Sequence, residues 1–277
     1  MDGGGQLMKF SVLISIYCKE NPMFFKIALE SVINQTCIPT EIVIVKDGAL
    51  TYELDQIIEN FEMRFPGLFK IIILPENRGL GLSLQAGIIE CSYELIARMD
   101  TDDIAKPERF EKQLKKFSDN KEIDLVGTYI EEFEGAPDNI LSSRVVPLTQ
   151  NSIYKAAKRR NPFNHVTVMY KKTAVLEAGN YQPFLWCEDY YLWVRMIMKR
   201  CKMMNISESL VLARTGKEMF RRRGGLQYVR SEVNLQCKFL SIGFVNIFEF
   251  ITNVILRSLI RLMPNNLRGV IYFKLLR

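Results

Sequence analysis

The chain has 277 residues, 48% of them hydrophobic and 25% charged, with a formal net charge of +6. That length and balance describe one large globular domain, or one domain with an appendage, and exclude a disordered chain. The modest positive charge suits an anionic partner such as a diphosphate or an anionic lipid surface without identifying one.

The polar, glycine-rich start, Met1 to Gln6, leads to no apolar run with a cleavage site, so no signal peptide is expected. Phe10 to Ile16 is a short apolar, β-branched run that reads as a first strand. Pro22 opens a helical pattern through Phe25, Ala28, Leu29, Val32 and Ile33. Glu41 to Val45 is a second strand ended by Asp47-Gly48, and Leu54 to Phe65 a helix with Ile57, Ile58 and Phe61 inward. Phe69 to Leu74 reads as a third strand, Leu80 to Glu90 as a helix, and Leu95 to Met99 as a fourth strand. A helix is expected from Pro107 and a fifth strand over Ile123 to Thr128. Strands alternating with helices imply an α/β fold with a mostly parallel, doubly wound sheet. Such sheets bind ligands at the C-terminal strand ends. The loops there carry Tyr17, Asp47 and Asp100 to Asp103, as a nucleotide site would need.

Residues 130 to 185 are less regular, with a loop marked by Gly135, Pro137, Asp138 and Asn139. Asn151 to Arg160 reads as a basic helix, Val166 to Tyr170 as a strand, and Tyr190 to Arg200 as an amphipathic helix. From about Cys237 the chain changes character, and most residues between Phe239 and Met263 are apolar. Asn246, Glu249, Asn253, Arg257 and Arg261 recur at spacings of three or four, a polar stripe on a helix. From Arg257 to Arg277 there are five basic residues and no acid. No 18-residue uncharged stretch supports a transmembrane helix. An amphipathic helix lying in the membrane interface and a helix packed on the main domain both fit. The division expected is a main domain over 8–236 and an amphipathic, basic, membrane-associating tail over 237–277.

Six cysteines without CxxC spacing are expected as reduced, mostly buried thiols. His165 is the only histidine, which argues against a zinc site and against a Ser-His-Asp hydrolase. The sharpest chemical feature is the run Arg98-Met99-Asp100-Thr101-Asp102-Asp103 directly after a strand. Three carboxylates so close repel one another unless a positive charge sits among them. A hard divalent cation does this, taking one or two carboxylates plus phosphate and water oxygens. The alternative is a solvated acidic turn capping the next helix.

Ser11 to Tyr17, Glu41 to Gly48, Glu76 to Gly81 and Ala97 to Asp103 follow one another in an order that resembles the nucleotide-binding half of the family-2 inverting glycosyltransferases with a GT-A fold. Trp186 to Trp193 resembles that family's ED motif. The resemblance covers roughly residues 8 to 215, and its nearest flavour is the bacterial enzymes that build O-antigen and exopolysaccharide repeat units. It implies a GT-A-like fold and a UDP-sugar donor. Asp47 would accept from the nucleobase, and Lys46 stands where the family often has a second acid. Tyr17 would line the nucleobase pocket, with Ser15, where the family often has Pro, in the same donor site. Asp100 would contact ribose or metal, and Asp102 would be the main ligand of Mn²⁺ or Mg²⁺. Asp103 would serve there or cap the following helix. Arg98 could contact the nucleotide or pair with a carboxylate.

The resemblance makes Asp189 the catalytic base and Glu188 an acceptor or structural contact, and a carboxylate suits general-base work on an acceptor hydroxyl. His165, in Asn161-Pro-Phe-Asn-His165, could be structural or lie on the acceptor side. Arg221-Arg222-Arg223 could close over the diphosphate, meet lipid phosphate or be a solvated turn. The implied activity is inverting transfer of a hexose to a sugar, carried on a polyprenyl diphosphate lipid, at the cytoplasmic face of the bacterial plasma membrane, with no nucleic-acid partner. Two rivals are a sugar-phosphate nucleotidyltransferase, for which no Gly-rich phosphate loop follows the first strand, and a non-catalytic membrane-bound scaffold.

Overall fold

The computed structural model describes residues 8–216 and 225–263. Four strands, β1 (Phe10–Ile16), β2 (Glu41–Asp47), β3 (Phe69–Leu74) and β4 (Leu95–Met99), lie parallel in the order β3-β2-β1-β4. The helices between them are α1 (Pro22–Ile33), α2 (Tyr52–Arg64) and α3 (Leu80–Glu90). Asn21 caps α1 by accepting from the backbone of Met23 and Phe24, with Pro22 in the first turn where no amide is needed.

Side chains alternate across a strand, and the core divides accordingly. Ile42 and Ile44 pack with α1, α2 and α4 (Arg109–Asp119), whereas Val43 and Val45 pack with α3 and α7 (Glu188–Met198). α3 approaches the sheet through Gly87, where a Cβ would fall 2.4 Å from Leu13 Cδ1 and 2.8 Å from Val45 Cγ2.

Beyond β4 the sheet is mixed. It continues through β8 (Met169–Lys171), β6 (Ile123–Phe133), β9 (Lys202–Arg214) and the two-residue β5 (Ile104–Ala105), with β7 (Ile140–Arg144) on β6. β8 is antiparallel to both β4 and β6, β5 to β9 and β7 to β6, while β6 and β9 run parallel. The mostly parallel sheet expected from the sequence is therefore wholly parallel in its first half and mixed beyond β4, where only β6 and β9 are parallel. The expected fifth strand runs on to Phe133 and turns through the Gly135 loop into β7. The expected strand over Val166 to Tyr170 is a 3-10 turn, His165–Thr167, followed by β8. The helix expected from Pro107 begins at Arg109.

The remaining helices are α5 (Gln150–Ala157), α6 (Lys172–Glu177), α8 (Leu226–Ser241) and α9 (Ile247–Leu262). α8 runs straight through position 237, so the change of composition there falls inside a helix. Tyr190 of α7 meets Phe239 of α8 edge to face at 5.0 Å between ring centroids, fixing α8 on the core. No helix among the described residues is long and apolar enough to cross a membrane.

Candidate active site

β4 ends in the bottom of a cleft of about 2110 Å³ whose lining includes Asp100, Asp102, Asp103, Asn161, His165, Glu188, Asp189 and Arg214. The sheet thus brings the acidic turn and the ED pair, more than eighty residues apart in sequence, to one cavity. Ser15, Tyr17, Asp47 and Arg98 do not line it.

The acidic turn is arranged by three arginines. Arg98, 1% exposed, pairs through Nη2 with Asp100 Oδ1. Arg109, fully buried on α4, donates through Nη2 to the Arg98 carbonyl at 2.6 Å and the Val166 carbonyl at 2.9 Å. Gln113, one turn further, donates to the Val126 and Thr167 carbonyls. These two polar side chains bind β4, β6 and the 3-10 turn from beneath the cleft.

Arg214, at the end of β9, donates its amide to Asp103 Oδ1 at 2.7 Å and its Nε to the Asp102 carbonyl at 3.1 Å. Asp103 is therefore tied to β9 and caps no helix, because α4 starts six residues later.

Burial, then Asp100 and Glu20, pushes the Asp102 carboxyl up to about 6. Burial and the two neighbouring acids raise Asp103 well above the carboxylate range. Among the described residues no group of three His, Cys, Asp or Glu side chains is pre-assembled for a metal. The chemistry fits a hard cation held by one or two carboxylates, with a diphosphate and water completing its shell. Asp102 faces the cleft with like charges beside it, the environment such a cation would relieve.

Glu188 and Asp189 form the first turn of α7, where acids complement the helix dipole. Asp189 Oδ2 accepts from Asn161 Nδ2 at 2.5 Å, and Oδ1 from the Tyr190 amide at 2.7 Å. Glu188 is 9% exposed and packs against Gly81 of α3, where an added Cβ would lie 3.3 Å from the Glu188 Cβ. Burial, then Asp189, pushes its carboxyl up to about 7. Just before them, Trp186 holds a left-handed backbone (φ 63°) and stacks on Tyr228 at 4.9 Å. A non-glycine residue kept there costs of order 1–3 kcal/mol, and such strain clusters at functional sites. His165 Nε2 lies 2.8 Å from the Tyr181 hydroxyl. Burial lowers its pKa, which favours the neutral ring.

On the donor side Asp47 is 4% exposed and accepts from the backbone amides of Arg78, at 2.7 Å, and Gly79, at 2.9 Å. The carboxylate expected to read the nucleobase thus clamps the loop before α3. Gly48 lets that loop come close: a Cβ there would fall 2.8 Å from the Asn77 amide nitrogen. Ser15 pairs in register with Val45, and Tyr17 follows the end of β1.

The segment after α5 joins the cleft to α9. The Lys158 carbonyl accepts from Asn253 Nδ2 at 2.7 Å, the Lys158 ammonium meets both Glu249 oxygens at 2.9 Å, and the Arg159 carbonyl accepts from Arg257. Arg257 and Arg261 also pair with Glu232 of α8 at 3.1 and 2.7 Å. The polar stripe of α9 therefore faces the protein. Most of its apolar residues face outward, with Phe248 78%, Ile255 53% and Leu259 54% exposed, while Phe250 packs on the core. Two of the five basic residues expected to meet lipid are turned inward on Glu232. Arg268, Lys274, Arg277 and Arg221-Arg222-Arg223 lie outside the described residues.

Sequence reasoning missed Asn161 as the partner of Asp189, and it missed Arg109, Gln113 and Arg214. Arg109 and Gln113 did leave a signal, two polar residues four apart on the apolar face of a helix with Phe110, Leu114 and Phe117. Arg214 left none beyond its place at the end of a strand.

Comparison with known proteins identifies the family. The model of glycosyl transferase family 2 matches residues 11–181. The chain is 38% identical over 269 residues, 97% of each chain, to the UDP-Gal:alpha-D-GlcNAc-diphosphoundecaprenol beta-1,3-galactosyltransferase of Escherichia coli. It is 37% identical over 267 residues to the amylovoran biosynthesis glycosyltransferase AmsE of Erwinia amylovora, covering 96% of this chain and 98% of that one. In fold it resembles a mannosyltransferase of Pyrobaculum calidifontis, solved with GDP-Man and Mn²⁺, at TM-score 0.65 and 12% identity over 92% of this chain and 70% of that chain. The chain, with its GT-A-like sheet and its acidic turn facing the ED pair, belongs to glycosyl transferase family 2, among the glycosyltransferases of bacterial polysaccharide synthesis.

Proposed function

We propose that the chain transfers a hexose from a UDP-sugar, with inversion, to a sugar hydroxyl on a polyprenyl diphosphate carrier at the inner face of the bacterial plasma membrane. The observation that carries this reading is the shared cleft of Asp100 and Asp102 after β4 and Asp189 at the start of α7. The name of the Escherichia coli relative supports the donor and acceptor classes.

In this reaction the acceptor oxygen attacks the donor anomeric carbon on the face opposite UDP. The new C–O bond forms as the bond to the β-phosphate oxygen breaks, and that electron pair leaves with UDP. Asp189 takes the hydroxyl proton, so an α-configured donor gives a β-linkage. Asn161 holds one Asp189 oxygen and so orients the other carboxylate lone pairs. Asp102, with Asp100, would hold Mn²⁺ or Mg²⁺, which when bound offsets the charge developing on the leaving diphosphate. Glu188, walled in by Gly81, is a structural or acceptor contact beside the base. The outward apolar face of α9 lies in the membrane interface as a peripheral anchor, a mode that needs no spanning helix.

The test is a panel of UDP-sugars offered to the purified chain with a synthetic GlcNAc-diphosphate-lipid acceptor, with and without Mn²⁺. Mass spectrometry reads the product and NMR its anomeric configuration. One UDP-hexose should give a β-linked disaccharide on the lipid. Retained α-configuration, or pyrophosphate release from a nucleoside triphosphate, would overturn the reading.

A further inference from the structure

An acceptor of the proposed class has three parts in fixed chemical order: a hydroxyl-bearing sugar, a diphosphate and an isoprenoid chain. The segment at the end of α5 meets the surroundings each part would need, in the same order. Asn161 touches Asp189, where the hydroxyl must lie. Lys158 and Arg159 are bound through their carbonyls to α9, whose Phe248, Leu256 and Ile260 line the same cleft. Between these anchors lie Arg159 and Arg160, with Lys155 one turn earlier on α5, and all three line the cleft.

Charge accounting isolates the same three residues. Two acids beside this wall already have cations: Glu249 pairs with Lys158, and Glu232 with Arg257 and Arg261, while Asp189 is held by Asn161. Burial alone would raise the Glu232 carboxyl, but the two guanidiniums hold it lowered. Lys155, Arg159 and Arg160 are exposed, and their side chains form no ion pair with any described residue. Three exposed cations on one wall of the cleft, of which Arg159 also helps hold the Glu249 carboxyl lowered, attract a multivalent anion. The two guanidinium forks suit phosphate oxygens in particular. One of these residues would be explained by the negative end of α5. All three, two of them beyond the helix end, are not.

We propose that Lys155, Arg159 and Arg160 form the subsite for the diphosphate of the acceptor, holding it between the sugar at Asp189 and the isoprenoid on α9. The assignment rests on the acceptor class proposed above. The same chemistry would also take the phosphate of an anionic lipid headgroup, and the arms of the test separate the two.

The triple variant Lys155→Gln, Arg159→Gln, Arg160→Gln is compared with the unaltered full chain on two acceptors in neutral detergent micelles. One is a GlcNAc-diphosphate-lipid, the other an alkyl GlcNAc glycoside without phosphate. The unaltered chain should prefer the diphosphate acceptor, and the variant should lose that preference. The ratio of kcat/KM between the two acceptors should fall at least about tenfold, through KM, as expected when charge-assisted contacts are removed. UDP affinity by calorimetry reports on folding and the donor site and should hold. An unchanged ratio overturns the subsite. So does loss of binding to anionic vesicles with the ratio intact, which would assign the cluster to headgroups. If the unaltered chain itself shows no preference for the diphosphate, the acceptor class fails instead, a result visible before any variant is made.

Discussion

Asparagine at position 189 keeps the shape of the side chain and its contact with Asn161 but has no useful basicity. Turnover at saturating substrates should fall at least about 10²–10⁴-fold, the usual contribution of a positioned base. UDP affinity should hold if Asp189 has the acceptor-side role proposed for it. Glu188→Gln should be milder; if it abolishes transfer while Asp189→Asn retains it, the roles are reversed. Asp102→Ala should abolish the gain in UDP affinity that Mn²⁺ gives, read by calorimetric titration with and without the ion. An equal gain in both proteins would remove Asp102 from the metal's ligands. At this scale the sequence disclosed residues that sit together in short motifs, such as the acidic turn and the ED pair. It did not disclose their long-range partners. Asp103 bonds to a strand 111 residues away and Asn161 reaches Asp189 across 28. Asp47 turns inward to the β3–α3 loop, a contact that only tertiary structure creates.

Strand–helix alternation through β4 was legible because each strand there is a short β-branched run and each helix has a full apolar face. β9 was not, since Asn205, Ser207, Glu208 and Ser209 interrupt its apolar pattern and its pairing with β6 shifts register. The stripe on α9 was read correctly as a stripe, but its direction depends on Glu232, a residue on another helix. With Arg257 and Arg261 beside it, Glu232 has a folded-state pKa below its unfolded value. Its contribution is therefore fully present above the ordinary carboxylate value of about 4.3 and is lost as pH falls through the lower folded value. Hydrogen-exchange protection over 247–262, taken relative to the intrinsic rate at each pH, should fall in that acid window. At neutral pH Glu232→Gln should leave two arginines short of their counter-charge and weaken α9 docking by about 3 kcal/mol. Exchange in α9 that ignores both changes would show that Glu232 does not hold the helix.

On the scale of the whole molecule, one side carries a catalytic cleft and an adjoining helix shows Phe248, Ile251, Ile255 and Leu259 to solvent. Exposed apolar patches of this kind mark interaction surfaces. Phe248→Asp with Ile255→Asp should release the protein from anionic liposomes in flotation, while transfer to a soluble acceptor without an isoprenoid chain persists. Retained flotation would place the membrane contact elsewhere. Salt should weaken vesicle binding only in part, because each exposed basic residue adds about 1 kcal/mol and Arg257 and Arg261 are turned inward. The inward polar stripe also changes how α9 is attached. Most helices dock by removing apolar surface from water, which gives their release a large positive heat capacity change. Release of α9 would hydrate Glu249, Asn253, Arg257 and Arg261 together with Phe250, and the polar share lowers that term. Its attachment should therefore weaken less on cooling than the all-apolar contacts elsewhere in the chain.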